Sequence, residues 1–385
     1  MPNTKWSDDG FLNSLRSQGD PQADAAIAQV VAAGQKESVG PLFMKLKANA
    51  TPLPDDAPQA LKDFMTATAG LPSGRDMTRL KNGGDAFLQN GVPAVVVLLA
   101  SSLPRGYGAP CLCDILSISK DLQGRPFDRL MGVVQLLINI SDGDAFQPNG
   151  RALITAKKLR LLHAGVRRIA KRYRPDYEQK FGMAVNHEDM LATIMAFCYL
   201  VVDGLQRMGL PMKAQESEDL YYLWRVFAQL MGIHPDGRPD DDSYIPANLT
   251  EAAEFYASYV RRNNTGPDRN PKGPVLAKEN LKMMESMLPA PLRALGFRYA
   301  PPIVMTELMA PDELERVGLK PIAGHGVIKA IFTAILRISQ RAEHKEFAAN
   351  IGRLVLQGMV DTDRGSEVEF GVAFTRLGLR GSTFT

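Results

Sequence analysis

The chain has 385 residues, 45% of them hydrophobic, which is enough for one large core or two ordinary ones. Its 45 Lys and Arg stand against 42 Asp and Glu for a formal net charge of +3, so the whole molecule gives no polyelectrolyte signal for nucleic acid or an anionic membrane, and any charge argument is local. The three cysteines, Cys111, Cys113 and Cys198, fit neither a disulfide scaffold nor a paired Cys-x-x-Cys site and read as reduced thiols.

The N-terminal run MPNTKWSDDGFLNSLRSQGD has no apolar h-region and no twin-arginine pair. As it stands the chain is expected in the cytoplasm; a leader removed before the first residue would make it secreted or periplasmic. DPQADAAIAQVVAAG opens on Asp-Pro and closes on Gly34, and DAPQALKDFMTATAG closes on Gly70, so both read as short helices. The longest apolar run, VPAVVVLLASSL from Val92 to Leu103, has 12 residues, short of the ~20 a membrane helix needs, and reads as a buried core helix with no membrane span. Helical periods follow at about Pro126 to Ile140, Leu153 to Tyr173, His187 to Met208, Glu216 to Met231, Leu249 to Arg262, Ala277 to Leu295 and Ile322 to Gln340. IHPDGRPDDDSYIP and NNTGPDRNPKGP are surface loops by composition, and the amphipathic helices beside them need each other's apolar faces. The periodicity predicts an all-α fold with residues 1–385 as one domain. Residues 360–385 read as an irregular tail, in which EVEFGVAFTRLGLRGSTFT alternates enough for a small hairpin.

No Walker loop, dinucleotide glycine fingerprint, H-E-x-x-H or G-x-S-x-G stands in a suitable context, and the five histidines are too scattered for a multi-histidine metal site. One charge run stands out: Arg151 to Arg174 holds nine Lys or Arg and no Asp or Glu. It reads as a solvated face, as a phosphate-backbone stripe, or as the wall of a buried anionic cofactor. The stripe fails on placement. In KKLRLLHAGVRRIAKRYR, helical spacing puts Arg160 and Arg167 one turn either side of His163, beside an apolar stripe of Leu159, Leu162, Val166 and Ile169 that is expected to pack inward. A histidine at such an edge also reads as a hydrogen-bonded core residue. As a ligand it must be neutral, and the two flanking guanidiniums disfavour its protonation. Haem, an apolar disc with two carboxylates on one edge, suits a histidine with arginines near the rim and aliphatic walls.

R-L-L-H-A-G-V-R resembles the R-x-x-H-x-x-x-R signature of the latex-clearing proteins, the haem b rubber oxygenases. WSDDGFLNSLRSQGDPQADAAIAQ, LPDDAPQALKDFMTATAGLP, LLASSLPRGY, NHEDMLATIMAFCYLVVDGLQRMG and YYLWRVFAQLMGI resemble that family in the same order, from about Trp6 to Ile233. The resemblance implies a globin-like helical core with additional helices. It makes His163 the axial ligand of haem b iron, supported by Arg160 and Arg167. It further implies a monomer that acts with dioxygen on an apolar, isoprenoid-like substrate, cleaving a carbon–carbon double bond to give aldehyde and ketone ends. Arg129, in RPFDRLMGVVQLLINIS, matches an arginine on the helix over the distal side. Thr193 matches a pocket threonine and equally reads as a helix threonine bonded to its own preceding carbonyl. Asp114 is the only carboxylate near the expected place of a catalytic glutamate and is one methylene shorter. One turn after Arg129, where the family can carry a lysine and then a threonine, this chain has Gly132 and Val133, so no lysine is expected to cap the iron. That departure keeps open an oxygenase or peroxidase for a small lipid or terpenoid, and a haem carrier or sensor without turnover.

Overall fold

The computed structural model describes residues 4–34, 46, 48–49, 51–118, 126–287, 299–322, 326 and 330, with the backbone alone for 118 and 126–131. The helix expected from Ile322 to Gln340 falls almost wholly outside these residues, and the tail 360–385 with its hairpin falls outside them entirely. The chain is all-α: among the described residues every regular element is helical.

Short polar residues cap several of the helices. After a 3-10 turn at Lys5–Ser7, Asp8 caps α1 (Asp9–Arg16) by accepting from the Gly10 and Phe11 amides. Asp20 caps α2 (Pro21–Ala32) through the Ala23 amide, with Pro21 at the first helical position. α3 (Gln59–Ala67) and α4 (Met77–Gln89) follow, and α5 (Gly91–Gly106) leaves α4 at 79° and carries a π turn at Leu98–Ser102. All five residues of that turn are buried, as expected of a core helix, and no single helix among the described residues is long and apolar enough to cross a membrane.

Next come α6 (Pro110–Ile118), α7 (Pro126–Ser141), the long α8 (Arg151–Tyr173) and the short α9 (Tyr177–Phe181). The helix expected from His187 to Met208 is two: α10 (His187–Phe197), capped by Asn186, and α11 (Tyr199–Arg207), separated by Cys198 at φ −117°, ψ −72°. The break falls where Phe197 lies flat on Trp224, ring centroids 4.9 Å apart. α12 (Ala214–Leu230), α13 (Leu249–Asn263), α14 (Lys272–Met287), α15 (Ala300–Leu308) and α16 (Pro311–Arg316) complete the described chain.

Two apolar clusters hold these helices. The larger includes Trp6, Phe87, Leu137, Leu191, Trp224 and Phe255; the smaller joins Ala26 and Ile27 of α2 and Phe64 of α3 to Ile154, Leu161 and Ala164 of α8. Because Leu153, Ala156 and Ala170 of the same helix join the larger cluster, α8 is the element shared by both. α4 lies close against two neighbours at a glycine pair. A Cβ on Gly83 would strike the Asp219 carbonyl of α12, and one on Gly84 would come within 2.6 Å of the Ser141 carbonyl of α7.

Candidate functional site

α8 positions the central residues. Its surroundings differ from the sequence expectation: Leu159, Leu162, His163 and Val166 stay partly exposed, whereas Leu153, Ala156, Leu161 and Ala164 are buried. Of the stripe expected to pack inward, Ile169 is buried, Leu159 packs on the larger cluster and Leu162 on the smaller, and all but Ile169 keep part of their surface exposed. Periodicity locates an apolar face but not how completely it is covered.

His163 lies within that partly exposed stripe, and its Nδ1 is buried with no hydrogen-bond partner. Burial, reinforced by the Arg167 charge, pulls its pKa down to about 4, so the imidazole is neutral with a lone pair to give. The expectation placed that effect on both arginines. Burial is the larger cause, and Arg160 is neutralised by its own partner: its Nε donates to Asp20 Oδ2 at 2.6 Å and its Nη2 to Asp20 Oδ1 at 3.0 Å. Burial would raise the Asp20 carboxyl, but the Arg160 bonds and charge hold it below the usual carboxylate range. Arg167 Nε donates to Asp24 Oδ1 at 2.8 Å and Nη1 to the Val185 carbonyl at 3.3 Å, while Nη2 is buried without a partner. Val185 sits at φ 51°, a costly region for a β-branched residue, so its carbonyl is held out of the ordinary path of the chain.

The remaining expected site residues are less closely gathered. Thr193 is exposed although, Ala196 partly excepted, every other residue of α10 is buried, so it opens onto accessible space; its hydroxyl donates to the Asp189 carbonyl one turn back at 2.9 Å. α10 packs on α1, α11, α12 and α13, and α8 packs on α6 and α7. Asp114 of α6 is drawn to the far end of α8, where it accepts from Arg174 Nη2 at 2.7 Å and pairs with Lys272. Arg174 lies 11 residues beyond His163, about 16 Å of helix rise, so Asp114 is an ion-paired carboxylate away from the imidazole. The Arg129 side chain is outside the described residues. Gly132 borders open space, since a Cβ there would meet no described atom within 4 Å.

These residues fit an apolar, metal-bearing disc with acidic edges in three respects: a neutral imidazole, aliphatic side chains left partly open beside it, and an orphaned guanidinium donor at Arg167. They depart from the usual pattern in one, because a ligating histidine generally donates its other ring N–H to an acceptor and Nδ1 has none. Sequence reasoning missed Asp20 and Asp24, the carboxylates that pair with the two arginines. Asp20 is legible as a helix cap, but nothing in its spacing points to a residue 140 positions away.

Residues 83–338 match the family model described as ER-bound oxygenase mpaB/B'/Rubber oxygenase, catalytic domain. The rubber oxygenase of Streptomyces sp. (strain K30) is 26% identical over 242 residues, which cover 60% of this chain and 56% of that protein. The chain therefore spans little more than half the length of this relative. Among solved structures, a latex clearing protein, LCP, in the closed state superposes with a TM-score of 0.65 at 20% identity, covering 95% of this chain and 92% of that one.

Proposed function

We propose, on the premise that the chain belongs to the family of mpaB-type ER-bound oxygenases and rubber oxygenases, that it is a haem b dependent oxygenase cleaving carbon–carbon double bonds of an apolar polyisoprenoid with dioxygen to give aldehyde and ketone ends. The observation that carries this reading is His163: a neutral imidazole among aliphatic side chains that stay partly exposed, one turn from the unpartnered Arg167 donor. Bound haem supplies the redox chemistry that activates dioxygen, which no side chain here supplies.

His163 is the residue that would hold the iron. The unpartnered Arg167 Nη2 offers a charge-assisted hydrogen bond to a haem carboxylate, while Arg160 acts indirectly, its pair with Asp20 fixing α2 against α8. Leu159, Leu162 and Val166 present aliphatic surface that excludes water and suits an isoprenoid chain. Arg129 and Thr193 are assigned to polarising the oxygen substrate; the Thr193 proton is committed to Asp189, so its hydroxyl must rotate to donate. Asp114, held by Arg174 and Lys272, is assigned to positioning α6 against α8 rather than to taking a proton.

The purified protein is expected to show a strong Soret band that His163→Ala largely abolishes. Reduced protein given polyisoprene under labelled dioxygen is expected to release shortened chains with label in both carbonyl ends. A wild-type preparation that stays colourless after haem is added overturns the reading. Gly132 and Val133 favour a second reading, in which an open distal side serves a smaller lipid or terpenoid as an oxygenase or peroxidase; labelled products from a short terpene and none from polymer would select it. Haem binding with turnover of neither would select a carrier or sensor.

A further inference from the structure

On a different side of α8 from the partly exposed aliphatic stripe lies a cleft of about 910 Å3. Leu153, Ala156, Lys157 and Arg160 form its α8 wall, the start of α2 and the loops after α3 and α12 close it, and neither His163 nor Leu159, Leu162 or Val166 lines it. Three polar side chains lining it are buried and under-satisfied. Lys157 is 2% exposed and gives one hydrogen bond, from Nζ to the Met65 carbonyl at 3.0 Å, with no carboxylate among the described residues in ion-pair range. His187 is 3% exposed, and its ring nitrogens make no hydrogen bond of good geometry, with only a weak polar contact to the Gly19 backbone. Gln229 is 2% exposed and its Oε1 has none either.

The acids around the cleft do not serve these groups. Asp20 is taken by Arg160 and Asp24 by Arg167, while Asp236 and Asp240 are exposed, and Asp240 accepts from the Ser73 amide. A buried ammonium without a counter-ion is poorly supported: burial and the Arg160 charge pull the Lys157 pKa down to about 8. Buried polar groups are normally paired, and three with open valences in the wall of one cleft mark a site completed by a ligand. The valences also specify that ligand. Lys157 calls for an anion, Gln229 Oε1 for a donor, and His187 for a group that can accept from or donate to it.

We propose that this cleft is a binding site for a small organic hydroxy acid, its carboxylate on Lys157 and its hydroxyl serving the under-satisfied atoms of His187 and Gln229. The apolar remainder of the molecule would lie along Leu71, Leu153 and Leu230. The site does not depend on haem at His163, because the two sets of residues occupy different sides of α8.

Calorimetric titration of the full chain, as purified, with 2-hydroxyhexanoate, 2-oxohexanoate and inorganic phosphate tests it. The hydroxy acid is expected to bind at least fivefold more tightly than the keto acid, which cannot donate to Gln229. Lys157→Met is expected to weaken that binding at least tenfold and His187→Phe at least fivefold, with Lys180→Met, at an exposed lysine of α9, unchanged. Far-UV circular dichroism checks that each variant is folded, and protection of Lys157 from acylation by 2-hydroxyhexanoate gives a readout on the wild-type chain should one fail. No binding at millimolar ligand, phosphate binding as tightly as the hydroxy acid, or a folded Lys157→Met that binds like wild type each overturns the proposal.

Discussion

The Arg160 and Asp20 pair shows how much depends on one buried carboxylate. Asp20 does two jobs, accepting the Ala23 amide as the α2 cap and the Arg160 guanidinium at 2.6 Å, with both side chains almost fully buried. Removing one partner of such a pair leaves an uncompensated buried charge, so Asp20→Asn is expected to lower stability by about 3 to 5 kcal/mol in urea melts. The double variant Asp20→Asn with Arg160→Met is expected to recover much of that loss. His187 sets a pH dependence. Burial, the largest cause, pulls its folded pKa to about 4, below the 6.5 of a free histidine, so between those values the unfolded chain binds the proton that the folded chain refuses. Its contribution to stability is intact above about pH 6.5 and is lost as pH falls through about 4, a total of roughly 3 kcal/mol by linkage. Melts of the wild type and His187→Phe at pH 7 and pH 5 are expected to show a smaller acid loss in the variant. The sequence displays His163 and its arginines plainly; it hides the acids that pair with them, because those come from another helix.

At the scale of the helix, the two glycine environments make opposite predictions. Gly84 in α4 faces the Ser141 backbone, which cannot yield as a flexible side chain would, so Gly84→Val is expected to cost about 1 to 3 kcal/mol through overpacking. Gly132 in α7 borders open space, so Gly132→Ala is expected to be neutral or stabilising by up to about 1 kcal/mol from helix propensity. Thermal melts of the two variants check both signs. Helix starts were legible at Asp20, where Asp-Pro marks one, and at His187, but not after Asp8 or Asp76, which cap helices that the periodicity did not single out. The break at Cys198 was not, since no glycine or proline announces it and the run from His187 reads as one continuous apolar period. The charge run of α8 was legible as a run but not as a set of pairs. Arg160, Arg167 and Arg174 meet acids from α2 and α6, whereas Arg168, Lys171 and Arg172 are exposed.

At the scale of the whole molecule, the organisation as one domain that periodicity suggests has a direct test. Trp6 and Trp224 belong to the same apolar cluster, and α8 is shared between that cluster and the smaller one. Tryptophan fluorescence and far-UV circular dichroism are therefore expected to report coincident unfolding transitions; two separated transitions would divide the chain. The all-α class was readable from the 3.6-residue period, because that signal depends only on which face of a helix is apolar. So was the family, from ordered motifs along the first part of the chain. What the sequence by itself determined was the helical class and the presence of a histidine between two arginines, since both are local patterns along a helix. How completely the apolar stripe of α8 is covered, which carboxylates neutralise its arginines, and that Lys157, His187 and Gln229 share a cleft were decided only by tertiary structure. Burial and ion pairing are properties of neighbours in space, and those neighbours lie as many as 143 residues apart in the chain.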